Sequence, residues 1–322
     1  MIHRRSFLLA AGAAGLSVGA RAQQAAPYPT KPVRVIVASG AGSGDDFTTR
    51  LVAARMGELL GQQFIVENRP GAGGMIGQTA VAKAAPDGYT LLLAGGSMAG
   101  SHYVNANMGY DLMRDFTPIS LIEVVPWGFV ANAALPVKNA RELIAYARAR
   151  PGKLNYGTIG VGQIPYWAVK LFNRMAGIEA VEVVYKGTAE AMIDVAGGRL
   201  DYFFPPIPAA QTSRDKVRIV AVTSRNRSDA WPDVPTLNED ALPGYEMTAW
   251  RSFMGPAGLP RPIVETLNRA VGQSLATPEV RERLIKSGSV PTPSTPEELR
   301  ARYADWMRIF GQIAKDVGLK PQ

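Results

Sequence analysis

The stretch that decides the fold is VRVIVASGAGSGDD at residues 33–46. Its first six residues are mostly β-branched and apolar, which is typical of a short buried strand. The glycine-rich turn that follows leads into a helical pattern that ends near Leu60, with Asp46 predicted as the N-cap and Gly61 as the stop. A strand, a glycine turn and a helix in this order predict one βα unit of a parallel sheet.

Further βα units extend this one along the chain. Residues 64–67 and 89–93 predict two more strands, with a helix from about 75 to 85 between them. The middle third repeats the pattern, and terminal helices opened by prolines are predicted between 262 and 317. This order predicts an α/β protein with two doubly wound lobes, because a chain of this length with 47% hydrophobic residues can bury two cores.

The N-terminus carries the three parts of a secretory signal. The pair Arg4-Arg5 precedes an apolar stretch at 7–18, and the small-x-small segment 20–22 predicts a cleavage site. The arginine pair also resembles a twin-arginine signal. The apolar stretch has about half of the ~20 residues that a membrane-spanning helix needs. We therefore expect residues 1–22 to be a signal peptide, removed near Gln23 on export to the periplasm.

The amino-acid composition argues against several classes of protein. The chain has 35 basic residues, 27 acidic residues and no cysteine. Loss of the three arginines of the signal leaves a net charge of +5, and these charges are mixed, whereas nucleic-acid binders concentrate theirs. Absence of cysteine removes disulfides and sulfur-ligated metals. We expect no nucleic-acid partner, no metal site and no cofactor, and the mild positive charge favours anionic solutes.

Two catalytic patterns occur only in part. The turn after the first strand lacks the third glycine of the dinucleotide-binding fingerprint, and no Gly-Lys-Ser/Thr phosphate loop occurs. Residues 95–99 come close to the nucleophile elbow of hydrolases, with Ser97 at its centre and His102 nearby. That spacing places the two side chains on neighbouring turns, which is not the usual arrangement of a catalytic triad. Binding without catalysis is favoured, and a serine hydrolase using Ser97 is an alternative.

Six short motifs occur in order along the chain and together resemble a known family. They are YPTKP at 28–32, VENRPGAGG at 66–74, AAPDGYTL at 84–91, PGKLNY at 151–156, YKG at 185–187 and GPAG at 255–258. In this order they resemble the Bug-type receptors, which are the solute-binding components of tripartite tricarboxylate transporters. The resemblance extends over essentially the whole mature chain.

The resemblance implies a periplasmic binding protein-like fold of type II, with a ligand cleft between two α/β lobes. Residues 23–125 and 247–322 would form lobe 1, and residues 126–246 lobe 2. The implied function is capture of a small carboxylate by lobe closure and its delivery to membrane transporter subunits. The mature chain is expected to be a monomer that is not embedded in the membrane. A sensor that presents its solute to a receptor kinase stays an alternative.

The resemblance also implies which residues contact the ligand. In open α/β sheets, ligands bind beyond the carboxyl ends of the strands, where the glycine loops fall here. Backbone N–H groups in such loops can hold a carboxylate without an arginine. The expected ligand-binding residues are Ser39, Gly40, Ala41, Gly42, Ser43, Asp45, Gly96, Ser97, Thr158, Gly160, Gln163, Tyr166, Lys186, Phe204, Pro205 and Arg251.

Several of these positions depart from the usual pattern of the family. Asp45 replaces a hydroxyl residue, the segment 163–167 replaces Ser-Thr-Pro-His-Leu, and prolines at 205–206 replace Asp-Asn. Arg251 stands at an aromatic position. The cleft is thus expected to lose one acid and to gain another.

Three interpretations of these departures stay open. In the first, Gln163, Phe204 and the aromatic pair 166–167 enclose an aromatic ring, while Arg251 pairs with a second carboxylate. In the second, Asp45 faces the ammonium group of an amino acid or another zwitterion. In the third, the aromatic residues, including Trp250, belong to the core, and Arg251 lies on a solvated face.

Overall fold

The computed structural model describes residues 28–321, and the predicted signal peptide lies outside them. Eleven strands occur within the described residues. In chain order they are β1 (Val33–Val37), β2 (Phe64–Asn68), β3 (Thr90–Gly95), β4 (Phe116–Val125), β5 (Gly128–Asn132), β6 (Asn155–Thr158), β7 (Val181–Val184), β8 (Tyr202–Phe203), β9 (Val217–Val222), β10 (Ala249–Pro256) and β11 (Val290–Pro291).

Eleven α-helices connect or cover these strands within the same residues. They are α1 (Gly44–Leu60), α2 (Met75–Ala82), α3 (Ser101–Val104), α4 (Ala140–Arg148), α5 (Ile164–Ala176), α6 (Thr188–Ala196), α7 (Ile207–Gln211), α8 (Leu237–Asp240), α9 (Arg261–Ala276), α10 (Pro278–Lys286) and α11 (Pro296–Asp316). Short 3₁₀ turns precede α2 and α3. None of the described helices is long and apolar enough to cross a membrane.

The first βα unit forms as predicted, with one difference at the helix start. Strand β1 is buried except at Arg34, because its β-branched residues face both sides of a covered sheet. Helix α1 begins at Gly44, and its N-cap is Ser43, whose hydroxyl accepts a hydrogen bond from the Asp46 N–H. Asp46 was predicted as the cap, but it lies in the first turn. Gly61 ends the helix in the left-handed conformation, as expected.

The first sheet has the strand order β11-β4-β10-β3-β1-β2. Strands β1, β2 and β3 are parallel, and β10 is antiparallel to both β3 and β4. This arrangement places the carboxyl ends of β1, β3 and β4 at one edge of the sheet. The edge is where the loops after β1 and β3 begin, and we call this sheet with its helices lobe 1.

The second sheet, lobe 2, repeats the order with its own strands, β7-β6-β8-β5-β9. Strands β6, β7 and β8 are parallel, and β5 is antiparallel to β8 and β9. The predicted α/β class with two lobes is confirmed. Each sheet is mixed rather than wholly parallel. The first strand after each crossover, β10 in lobe 1 and β5 in lobe 2, lies antiparallel beside the third parallel strand.

Two chain segments pass between the sheets, one from β4 to β5 and one from β9 to β10. Thr223 joins them: its N–H donates to the Trp127 carbonyl at 2.9 Å and its hydroxyl accepts from the Trp127 N–H at 3.1 Å. Its carbonyl accepts from the Met247 N–H at 3.0 Å. Thr223 is fully buried, so these bonds are shielded from water and hold the two crossovers side by side.

Candidate ligand-binding site

The loop between β1 and α1 is fixed at its ends and open at its tip. The hydroxyls of Ser39 and Ser43 lie 2.9 Å apart, and the Asn68 amide donates to the Ser39 carbonyl at 3.2 Å. Gly40 and Ala41 at the tip are exposed. These hydrogen bonds fix both ends of the loop, and the backbone of the tip between them is open to solvent.

The start of α1 forms a reciprocal cap with this loop. The Asp46 carboxylate accepts from the Gly42 N–H at 2.9 Å and pairs with Arg50 at 2.9 Å. Gly42 has a φ of 78°, a conformation that favours glycine. The hydrogen bond from Arg50 and the backbone N–H of Gly42 lower the pKa of Asp46 to about 2. Asp46 therefore organises the loop and is already neutralised by Arg50.

The loop after β3 brings a backbone close to a buried indole. A side chain on Gly96 would place its Cβ 2.6 Å from Nε1 of Trp250, which is 1% exposed. The neighbouring Ser97 is exposed. Within residues 28–321, no hydrogen bond joins Ser97 to His102, whose pKa burial lowers although Asp111 opposes the shift. The pairing that a nucleophile and its base require is thus not seen here.

Arg251 lies at the edge of lobe 1, opposite Gly95 in the register of β10 with β3. Its Nε donates to Asp45 Oδ1 at 2.6 Å, and its other side contacts Glu123 on β4. Glu123 is fully buried and also accepts from the Thr48 hydroxyl at 2.7 Å. Burial acts to lower the pKa of Arg251, but Glu123 and Asp45 outweigh it and the net shift is upward. The structure therefore brings Asp45 and Arg251 together as an ion pair.

On lobe 2, Thr158 at the end of β6 belongs to a polar network. Its hydroxyl donates to Glu182 at 2.8 Å, and Glu182 pairs with Lys170 at 2.7 Å. Lys170 also donates to the Tyr156 hydroxyl at 2.7 Å and lies 5.3 Å from the centre of the Tyr166 ring. The lysine is mostly covered, and its charge is balanced within the network.

Helix α5 begins beside this network without a side-chain cap. Its N-cap residue, Gln163, is exposed and makes no capping hydrogen bond, and the first turn contains no acidic residue. Gly160 has a φ of 108° in the preceding turn. The first N–H groups of a helix have no partner within it and carry partial positive charge. This helix start is therefore a favourable place for an anion.

The remaining predicted ligand contacts are two buried aromatic residues, a proline beside β5 and an exposed lysine. Tyr166 is 4% exposed, and Phe204 is fully buried and stacked on Phe129 with ring centroids 4.5 Å apart. The Pro205 carbonyl accepts from the N–H at the start of β5 at 2.8 Å. Lys186 is exposed. The aromatic rings thus pack in the core in this conformation, as does Trp250.

The loops of the two lobes meet at the carboxyl edges of their sheets. A Cβ on Gly162 would lie 3.3 Å from Val104, and one on Gly100 would lie 3.1 Å from Trp167. The segment after β3 in lobe 1 therefore contacts the turn before α5 in lobe 2. Among the described residues, no hydrogen bond directly joins a predicted ligand contact of one lobe to one of the other.

Sequence reasoning did not identify the charged groups beneath the loops. Glu123 and Thr48 complete the Arg251 cluster, and Lys170 and Glu182 complete the network on lobe 2. Glu123 gave a usable signal, since it interrupts the apolar run at 121–125 of β4. Its partner could not be inferred, because Arg251 is 128 residues away in the chain. No group of three or more His, Asp or Glu suited to a metal occurs within residues 28–321.

Two similar sheets, joined by two crossovers and bearing glycine loops at facing edges, define a two-lobed solute-binding protein. Comparison with known protein families agrees with this class. The family described as "Tripartite tricarboxylate transporter family receptor" matches residues 48–319, and the chain belongs to this family. The resemblance to Bug-type receptors is confirmed.

Similar proteins include one curated relative and two solved structures. Protein BugT of Bordetella pertussis (strain Tohama I / ATCC BAA-589 / NCTC 13251) is 32% identical over 297 residues, which cover 91% of each chain. The structure described as "R. palustris Rpa4515 with adipate" is 33% identical, with a TM-score of 0.74, and covers 92% of this chain and 100% of its own. MatC (Rpa3494) from Rhodopseudomonas palustris with bound malate is 31% identical, with a TM-score of 0.70, and covers 89% and 100%.

Proposed function

We propose that this protein is an extracytoplasmic receptor that captures a small carboxylate for a transporter of the tripartite tricarboxylate type. The observation that carries the proposal is the start of α5, which lacks both a side-chain cap and an acidic residue and adjoins the loops of lobe 1. Its N–H groups and partial positive charge suit a carboxylate. Adipate and malate, named with two of the similar structures, are both carboxylates.

The ligand contacts proposed for lobe 1 are the backbone and hydroxyls of 39–43, with Asp45, Gly96, Ser97 and Arg251. Those proposed for lobe 2 are Thr158, Gly160, Gln163, Tyr166, Lys186, Phe204 and Pro205. The exposed tip at 40–41 and the exposed side chains of Ser97, Gln163 and Lys186 are the contacts that can reach a solute directly. Phe204 is fully buried and would act by supporting the loop that follows it.

Capture would use closure of the lobes rather than chemistry. We propose lobe boundaries at residues 125 and 247, with bending in the two crossovers that Thr223 holds together. Closure would remove water from the carboxylate and strengthen its hydrogen bonds. The closed form would then dock on the membrane subunits. This role requires export, which the N-terminal segment 1–22 would direct.

Binding to a panel of solutes tests this function directly. The mature chain from Gln23 is titrated with adipate, malate, an aromatic dicarboxylate and the corresponding diamides, and binding is followed by calorimetry and thermal shift. We expect at least one carboxylate to bind and its uncharged diamide not to bind. Binding of diamides alone would contradict the proposal. Hydrolysis of model esters, abolished in Ser97→Ala, would instead favour the hydrolase.

A further inference from the structure

A cavity of about 400 Å³ lies on lobe 1, between α11 on one side and α3 with the turn that follows it on the other. Met98, from the 3₁₀ turn before α3, borders it and is 2% exposed. None of the described residues that line this cavity is among the predicted ligand contacts. The cavity is therefore separate from the proposed solute site.

The wall of this cavity is rich in thioether sulfur. Three of the 11 methionines of the chain border it, together with one histidine, so four soft or borderline donor groups surround one opening. They are Met98, Met108, Met307 and His102. Methionine usually fills irregular gaps in a core, but Met108 and Met307 are only partly buried and border open space.

Packing and a hydrogen bond hold the two walls of the cavity together. The Tyr103 hydroxyl donates to the Met307 carbonyl at 2.9 Å. A Cβ on Gly311 would lie 2.5 Å from the same hydroxyl, so α3 and α11 are in close contact. Met98 and His102 belong to one continuous helical stretch, which the 3₁₀ turn and α3 form. The elements that carry these side chains are thus fixed to one another, as a preorganised site requires.

His102 offers a neutral imidazole at this cavity. Burial lowers the pKa of His102, although Asp111, which borders the same cavity, opposes the shift. Neutral imidazole is the form that binds metals. Asp111 is itself engaged in its own turn, since its Oδ1 accepts from the N–H groups of Met113 at 3.0 Å and Arg114 at 2.9 Å. Its charge favours a cation nearby, while the imidazole and the thioethers supply the donors.

These donors select a soft, monovalent metal. Thioether and imidazole ligands suit Cu(I), whereas Ca²⁺ and Mg²⁺ require several oxygen ligands. None of the described residues around the cavity is a lysine or an arginine, which would repel a cation. The lack of cysteine removes thiolates from this chain but leaves the thioethers of methionine. The chemistry of the cavity is therefore that of a copper(I) site.

We propose that this cavity binds one Cu(I) ion through three thioethers and one imidazole, those of Met98, Met108, Met307 and His102. Because methionine has three rotatable bonds, the sulfur atoms can converge on the ion while the backbone stays in place. The inference departs from the expectation of no metal site, which considered cysteine but not methionine. It goes beyond the proposed capture of a carboxylate and does not depend on it.

Methyl NMR spectra locate the metal directly. The mature chain, with isotope-labelled methionine methyl groups assigned through Met→Leu variants, is titrated with Ag(I), a redox-stable soft ion. We expect the signals of Met98, Met108 and Met307 to shift and to reach their end point at one metal ion per chain. The signal of Met192, a buried methionine on α6 of lobe 2, should not move. If the three signals stay in place, or if all methionine signals shift alike, the inference is wrong.

Competition with a chelator measures the contribution of each ligand. Without oxygen, the wild type is expected to draw one equivalent of Cu(I) from its coloured complex with bicinchoninate. Met307→Leu keeps the volume of the side chain and removes its sulfur, and His102→Gln removes the imidazole. Each should weaken Cu(I) binding by at least about tenfold, the loss of one ligand. Met192→Leu is the matched control and should bind as the wild type does. A wild type that draws no copper, or equal affinities in all four proteins, would contradict the site.

Binding of carboxylates by the same variants separates this inference from the proposed function. Met307→Leu and His102→Gln should bind the carboxylates of the solute panel as the wild type does, with similar melting temperatures. If copper does not bind, the proposed function stands unchanged. If these variants lose carboxylate binding while they stay folded, the cavity belongs to the solute site and the inference is overturned.

Discussion

The indole ring of Trp167 stacks on the ring of Phe310, with centroids 4.5 Å apart and planes inclined by 22°. Trp167 belongs to α5 of lobe 2 and Phe310 to α11, which packs on β4 of lobe 1. The Trp167 N–H also donates to the Gly162 carbonyl at 3.1 Å. One side chain therefore joins the two lobes and shapes the turn that leads into α5.

Removal of this ring should destabilise the protein. Trp167→Ala is expected to lower the free energy of unfolding by about 3–5 kcal/mol, since it deletes a fully buried aromatic side chain. Trp167→Phe keeps the stack and loses the hydrogen bond, so a smaller loss of about 1–2 kcal/mol is expected. Arg174→Ala breaks the partly exposed ion pair of the same two helices and should cost less than about 1 kcal/mol. Urea unfolding measures all three, and equal losses would contradict the role of the stack.

Glycine at position 96 should be required, whereas glycine at position 40 should not. A Cβ at Gly96 would lie 2.6 Å from the Trp250 indole, but one at Gly40 would meet nothing within 4 Å. We expect Gly96→Ala to lower the melting temperature by several degrees, because overpacking costs about 1–3 kcal/mol. Gly40→Ala should melt as the wild type does. A melting temperature unchanged in both variants would show that the indole can move aside.

Loss of Arg251 should lower the stability of the protein, because Glu123 is buried and would have no positively charged partner. Arg251→Met is expected to lower the free energy of unfolding by about 3–5 kcal/mol, because it leaves a buried carboxylate without its partner. Adding Glu123→Gln should restore a large part of this loss. Arg261→Met removes one partner of an exposed pair with Glu265 and should change stability by less than about 1 kcal/mol. Denaturant titrations measure the free energy of unfolding of each variant. If the double variant is no more stable than Arg251→Met, the loss does not come from the unpaired Glu123 carboxylate.

Asp46 should contribute stability that depends on pH. Its pKa in the folded protein is about 2, below the ordinary value of 3.8, so the ionised form is favoured by folding. The contribution is fully present above pH 3.8 and is lost as the pH falls towards about 2. Asp46→Asn should therefore be less stable than the wild type near neutral pH, with a difference that shrinks through this window. Free energies of unfolding of both proteins, measured between neutral pH and about pH 2, test this prediction. A difference between the two proteins that stays constant with pH would refute it.

Local features of the fold could be read from the chain because they depend on neighbouring residues. The apolar run of β1, the glycine stop at Gly61 and the proline-led helices are examples. The N-cap of α1 was misplaced, since Ser43 and Asp46 both suit a cap and only the loop geometry selects between them. The predicted lobe boundaries and ligand contacts stay predictions.

The sequence by itself determined the class of protein, because short motifs in order identify the family and alternating strands and helices specify α/β lobes. Only the tertiary structure decided what the unusual residues do. Asp45 and Arg251 are 206 residues apart in the chain and each suggested a different ligand. The insertion of β10 beside β3 and β4 brings them together with Glu123, so that their charges act on one another. Electrostatic interactions depend on distance in space, and pairing of distant strands sets that distance.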